Sequence, residues 1–367
     1  MYRRMHWFFK VLLGLFFIAI LWEVVTEVLP KVLPEKKVFD SEIYGIQFRS
    51  ESWEGTIRVK GDLIFMPGST VKIAPGTRVL VAKDGDKFNV DWLPWHLMSG
   101  LNSGVTYHGV LNGEYFWDEG QKIHLSFGKL LAVGSKEHPI VFTSEIPEDQ
   151  KSRYDFSSIG MEDGILSDVV ASSYRRFEIG RNVTVRNSSF SMAAECGLCL
   201  QEGQQTVINN SFDNNGREDI FIQGASPRVT DNIFLSGSKV GVRVDPDVVG
   251  SPLISHNSFQ MPGKLAIDIQ TGDETKGGEI SYNFFPGDSQ IKTTCDSKIQ
   301  IINNDLRGLI TFHPGGCANT YQVGPNYWGT DDIQAILKER FVLKDPKLTV
   351  VIPQVLKVVP AGVGPRR

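Results

Sequence analysis

The chain has 367 residues, enough for one large domain or two ordinary ones. Hydrophobic residues make up 41% and charged residues 22%, the balance of a folded protein rather than a disordered one. Against 38 basic residues stand 42 acidic ones, a net charge of -4, so there is no cationic excess to neutralise phosphates and no nucleic-acid partner is expected.

In chain order, the first feature is apolar. Arg3, Arg4 and Lys10 flank the start of a run from Val11 to Trp22, which EVVTEVL continues. With Trp7 to Phe9 included, the segment reaches the roughly 17 to 25 residues that a membrane-spanning helix needs. Trp7 and Trp22 stand where interfacial aromatics belong. The alternative is a cleaved signal peptide, but no small-x-small site follows the apolar core. The expected division is a cytoplasmic N-terminus over 1–9, a transmembrane signal anchor over 10–29 and a linker over 30–45 containing Pro30, Pro34 and PEKK. The positive-inside rule then places the remainder outside the membrane, periplasmic or on the cell surface.

Residues 83–128 form an aromatic insertion without repetition, carrying Trp92, Trp95, Tyr107, Tyr115, Phe116 and Trp117. One reading makes Trp92, Trp95, Tyr115 and Trp117 a stacking platform for sugar rings. The other makes them the core of a small hairpin subdomain, with His96 and His108 structural or on its surface.

Downstream the chain repeats. Asn210, Asn232, Asn257, Asn283, Asn304 and Asn326 each stand two places before a large apolar residue, at intervals of 22, 25, 26, 21 and 22. The partners are Phe212, Phe234, Phe259, Phe285, Leu306 and Trp328, and Ser188 with Phe190 extends the series upstream. Units of this length cannot bury an apolar face alone and must stack. Between them lie short alternating runs such as GLCL, DIFI, GVRV and AIDI, a strand signal. Short strands on this period predict a single-stranded parallel β-helix of coils about 22 residues long, spaced about 4.8 Å apart. A buried Asn ladder then satisfies itself by donating to one neighbour and accepting from the other. Cys295 and Cys317 each lie nine residues before a ladder Asn, so they share one coil position in successive coils. That spacing fits a disulfide, suited to an oxidising compartment, the alternative being two buried thiols. Cys196 and Cys199 form a CxxC, but inside a strand pattern rather than at a helix start, which disfavours a redox role.

The chain resembles the right-handed parallel β-helix proteins of the pectin-lyase-like fold. The likeness rests on GDLIFMPGSTVKIAPGTRVLV with KLLAVGSKEHPIVFTS, on the Asn-x-aromatic series, and on the closing NYWGTDDIQAILKERFVLKDPKLTVVIPQVL. It implies an all-β right-handed β-helix over 46–330 with a C-terminal cap and tail over 331–367. Within that cap it implies a short helix over 331–339 and a last strand over 349–352. Enzymes of this fold work from an exposed groove along one sheet with Asp, Arg and Lys, whereas the fold itself hosts many functions.

Strand alternation turns Arg243, Asp268 and Lys292 outward on three successive coils, with Cys199 and Phe221 before them and Thr311 after. As a catalytic site they would supply a base and cations for a polysaccharide lyase or hydrolase. As a structural column they are a ladder of alternating charge. Neither the cysteine and histidine spacing nor the Asp245 and Asp247 pair forms a metal-binding pattern, and no cofactor is expected. The expected function is non-catalytic: a membrane-anchored rod that binds a cell-envelope polysaccharide or a surface protein. The alternative is the lyase or hydrolase built on Arg243, Asp268 and Lys292.

Overall fold

The structure, a computed structural model, describes residues 33–83, 87, 122–235, 237–245, 250–270, 277–294, 297–313, 320–343 and 348–366, together with Phe16. The anchor, the residues Trp92, Trp95, Tyr115 and Trp117, and the Cys295–Cys317 pair fall outside them. Among the described residues no helix is long and apolar enough to cross a membrane.

The strands wind as a parallel β-helix with three sheets. One sheet stacks Phe156–Ser167, Tyr174–Ile179, Cys196–Leu200, Glu218–Ile222, Val240–Val244, Leu265–Ile269, Gln290–Thr293 and Leu309–Phe312 in parallel, in that order. A second runs from Val183–Arg186 through Thr206–Ile208, Arg228–Thr230 and Leu253–Ser255 to Gly278–Ser281 and Ile299–Ile302. The third carries the Asn-x-aromatic turns, from Val169–Ser172 through Ser189–Ser191, Ser211–Asp213 and Ile233–Phe234 to Asp305–Leu306. The winding starts before residue 46: Lys36–Phe39 pairs with Glu51–Glu54, and Glu42–Gln47 pairs with Thr56–Phe65, so part of the sequence assigned to a linker is the first coil.

The Asn ladder shows why the repeat exists. Each amide oxygen takes the backbone N–H and the side-chain N–H of the preceding Asn. Asn257 Oδ1, for example, accepts from Asn232 N at 2.9 Å and Asn232 Nδ2 at 3.0 Å. Asn257 Nδ2 donates onward to Asn283 Oδ1 at 3.0 Å and back to the Val229 carbonyl at 3.0 Å. Beside it the phenylalanines stack nearly parallel, with Phe234–Phe259 centroids 4.6 Å apart and Phe259–Phe285 4.9 Å apart. Each buried ring contributes about 2 to 3 kcal/mol by removing apolar area from water.

The residue before each of the first five ladder Asn turns the corner in the left-handed region, and Pro325 stands before the sixth. Asn209, Asp231, His256, Tyr282 and Asn303 have φ of 56°, 58°, 57°, 55° and 56°. Along this corner the last residues of the chain run back over the coils. Val355 bridges to Asn326, Gly364 N donates to Tyr282 O at 2.8 Å, and His256 Nδ1 meets Gly362 O at 2.7 Å. Arg366 closes the arm on Asp231 with its backbone N at 2.8 Å, Nε at 3.0 Å and Nη2 at 2.7 Å. Burial raises the Asp231 carboxyl, but the bonds from Arg366 outweigh it and hold the group below its ordinary range. A depressed carboxylate adds stability above its unfolded value and loses it as pH falls through the folded one. Arg366→Ala should therefore cost up to about 1 kcal/mol at neutral pH, because the guanidinium is half exposed. In urea titrations that deficit should shrink as pH is lowered below about 4.

At the far end the helix Ile333–Glu339 (α1) is capped by Asp332, whose carboxylate accepts from Gln334 N and Ala335 N. Ile336 anchors α1 in the core, and the last strand, Thr349–Val351, pairs with Thr320–Gln322.

Candidate functional site

Arg243, Asp268 and Lys292 lie in register on adjacent strands, preceded by Cys199 and Phe221 and followed by Thr311. Alternation accounts for this. Val242 and Val244, and likewise Ile267 and Ile269, are buried, so the residue between them faces away from the core.

The column is more heavily charged than alternation predicts, because Glu218 joins it. Arg243 Nη1 pairs with Glu218 Oε1 at 2.7 Å while its Nε pairs with Asp268 Oδ2 at 3.3 Å. Asp268 is almost fully buried and, besides this ion pair, accepts two hydrogen bonds: Gln270 Nε2 on Oδ2 at 2.8 Å, and His313 Nε2 on Oδ1 at 2.7 Å. His313 follows the strand Leu309–Phe312 and reaches back two strands to do so. Glu218 sits at a strand start where pairing passes from Cys196–Glu218 directly to Leu198–Ile220. Alternation breaks here: Asp219 is fully buried, and the neighbouring Glu218 meets Arg243. Burial raises the Glu218 carboxyl, and Arg243 opposes that rise.

A second ionic cluster lies toward the N-terminal end of the same sheet. Arg175 Nη2 pairs with Glu195 at 2.8 Å, Arg176 Nε pairs with Glu178 at 3.1 Å, and Arg176 Nη1 stands 3.8 Å from Glu195. Glu178 is buried, which raises its carboxyl against the lowering effect of Arg176. Beyond it His124 Nδ1 meets Ser158 Oγ at 3.0 Å. Burial, with Arg176 nearby, pushes that imidazole down to about 4, so it is neutral at physiological pH.

Between the clusters lies the CxxC. Cys196 and Cys199 are joined as a disulfide, with Cα atoms 5.8 Å apart. Residues three apart in a regular strand are about 10 Å apart, so the strand bends here. Gly197 sits at the bend, where a Cβ would stand 2.7 Å from Asp219 O. The described chain thus holds a bridge at a place where the sequence pattern suggested only a strand. Neither cysteine is more than 5% exposed, which shields the bridge from attack by a thiolate.

Across the two clusters the arginines Arg175, Arg176, Arg217 and Arg243 face the carboxylates of Glu178, Glu195, Glu218 and Asp268. Lys292 adds a cation on the same face. Among the described residues no three His, Cys, Asp or Glu side chains are grouped to hold a metal ion.

A protein-family model described as a right-handed beta helix region matches residues 155–306, which contain the ion pairs of both clusters, though not His313, and most of the ladder. No curated protein and no solved structure matches the chain. The matched region and the continuous parallel pairing together support a parallel β-helix repeat protein.

Proposed function

We propose that this protein is a membrane-tethered, extracytoplasmic β-helix that binds an extended partner, a cell-envelope polysaccharide or a surface protein, along its charged sheet without chemistry. The observation that carries this reading is the state of Asp268. Its carboxylate is buried, accepts from Gln270 and His313 and is ion-paired with Arg243, so both oxygens are already engaged by the protein and neither is presented to a substrate. Glu218 and Glu178 are likewise paired with arginines. The tether in this proposal is the apolar segment over 10–29.

A second reading, a polysaccharide lyase or hydrolase, draws support from one contact. A histidine oriented by a buried aspartate, beside Lys292, is the arrangement a general base uses, with His313 rather than Asp268 moving the proton. The two readings separate in one assay. The full chain in lipid nanodiscs is incubated with acidic and neutral polysaccharides, and new reducing ends are measured alongside retardation in affinity gels. Retardation without new ends is the expected result. New ends that disappear in both Asp268→Asn and His313→Ala would overturn the binding reading.

A further inference from the structure

The two ends of the solenoid are finished differently. The C-terminal end carries α1 and the returning arm. At the N-terminal end, among the described residues, Lys36–Phe39 and Glu42–Gln47 are paired on one side only. Open strand edges invite pairing with other chains, and proteins usually blunt them. Here the coil instead displays Phe39 at 63% exposure, Tyr44 at 45% and Phe48 at 39%, with Leu33 beside them. No other described Phe, Tyr or Trp of the solenoid is exposed to that extent. The exposed apolar residues at the opposite end, Val342, Leu343, Val351 and Val358, are all aliphatic.

We infer that this first coil lies on the bilayer surface, with Phe39, Tyr44 and Phe48 seated among lipid headgroups and the rod standing away from the membrane. The inference rests on the tether proposed above. Three features of the chain favour lipid over a protein occupant. Six residues lie between position 29 and Lys36, seven backbone steps with a reach of at most about 25 Å, whereas coils spaced about 4.8 Å apart carry the other end roughly 50 Å away. Only the first coil is therefore held beside the surface. Phenylalanine and tyrosine with neighbouring cations are what a membrane–water interface accommodates, and Lys36, Lys37 and Arg49 lie within the same stretch. The headgroup layer is also hydrated, so the open N–H and C=O groups of the edge find partners there that the hydrocarbon would deny them.

The test uses the full chain in phosphatidylcholine vesicles containing two photoactivatable phosphatidylcholines, one labelled in the headgroup to report on 39–48 and one in the acyl chain to report on 11–22, at high lipid-to-protein ratio. Cross-linked sites are located by mass spectrometry. Cross-links at 39–48 should exceed those at 342–359 by at least about fivefold, as expected for interfacial aromatics. The variant Phe39→Ser/Tyr44→Ser/Phe48→Ser, which alters only exposed side chains, should lose them while keeping cross-links within 11–22. Cross-links within 11–22 but none at 39–48 would overturn this inference and leave the tether standing. Cross-links in neither segment would overturn both. Chain-to-chain cross-links through Lys36 or Lys37, formed by an added bifunctional amine reagent and persisting on lipid dilution, would show a second copy on this surface and overturn it as well.

Discussion

Asn257→Ala is expected to lower the free energy of unfolding by about 4 kcal/mol, far more than an ordinary surface substitution. The loss follows from what the side chain leaves behind. Asn232 N–H, which donates to Asn257 Oδ1 at 2.9 Å, would be buried without an acceptor, and the Val229 carbonyl would lose the donor it holds at 3.0 Å. Each orphaned buried group costs roughly 1 to 3 kcal/mol. Asn232 Nδ2 would still be satisfied by Val207 O and Thr230 O, so the damage is confined to one step of the ladder. Urea unfolding followed by circular dichroism measures it. Asn209→Gly is the control, one residue before a ladder Asn, where φ of 56° suits glycine and the side chain's bond to Asn187 is exposed. It should cost less than about 1 kcal/mol. A deficit of that small size for Asn257→Ala as well would mean that water replaces the amide and that the ladder sets register without adding stability.

Asp219→Asn should have the opposite sign, and its size should depend on pH. Asp219 is fully buried among Asn215, Ser238 and the strand Cys196–Leu200. Asn215 and Ser238 both donate to Oδ1, while Oδ2 is buried with no hydrogen-bond partner. Burial pushes its pKa up to about 7, the bonds from Ser238 and Asn215 opposing the rise. In the unfolded chain an aspartate titrates near 4, so folding takes up a proton across the window from about 4 to about 7. The raised acid therefore costs stability progressively as pH rises through that window, and the cost is constant above it. A difference of about three units corresponds to on the order of 4 kcal/mol at most. The asparagine variant carries no charge to desolvate. It should be close to the parent near pH 4 and more stable by about 2 kcal/mol near pH 8. Taking the difference between variant and parent at each pH removes every group they share. A difference that does not change between those pH values would show that Asp219 is ionised at both.

The solenoid was legible because its reason for existing is local and repeated. Asn210 to Asn326 recur at nearly constant spacing, and a buried amide recurs only if its copies satisfy each other. Arg243, Asp268 and Lys292 were legible for a related reason: between pairs of buried valines and isoleucines only one direction is left. Glu218 and His313 were not. Alternation from Ile220 and Ile222 would turn Glu218 inward and Asp219 outward, and nothing in the pattern marks that Asp219 is the buried one and Glu218 meets Arg243. His313 lies beyond the end of its strand and meets a carboxylate 45 residues away in the chain, a contact that no periodicity encodes. The start of the winding was misplaced because KKVF and EIYGIQ carry charge and polarity where later coils carry valine and isoleucine. Among the described residues these strands are paired on one side only, as those of an end coil.

The arm that returns to Asp231 lays residues made late against coils made early. Arg366 meets Asp231 across 135 residues of chain. At roughly 5 to 20 residues per second, a ribosome that has just finished Asp231 needs on the order of 10 s to reach Arg366. Throughout that interval the coils can wind in the order they emerge, because each needs only its neighbour. The corner formed by Asp231, His256 and Tyr282 must wait. Its seam closes only once Arg366 has emerged, so the arm's contacts form later than the coils they cover.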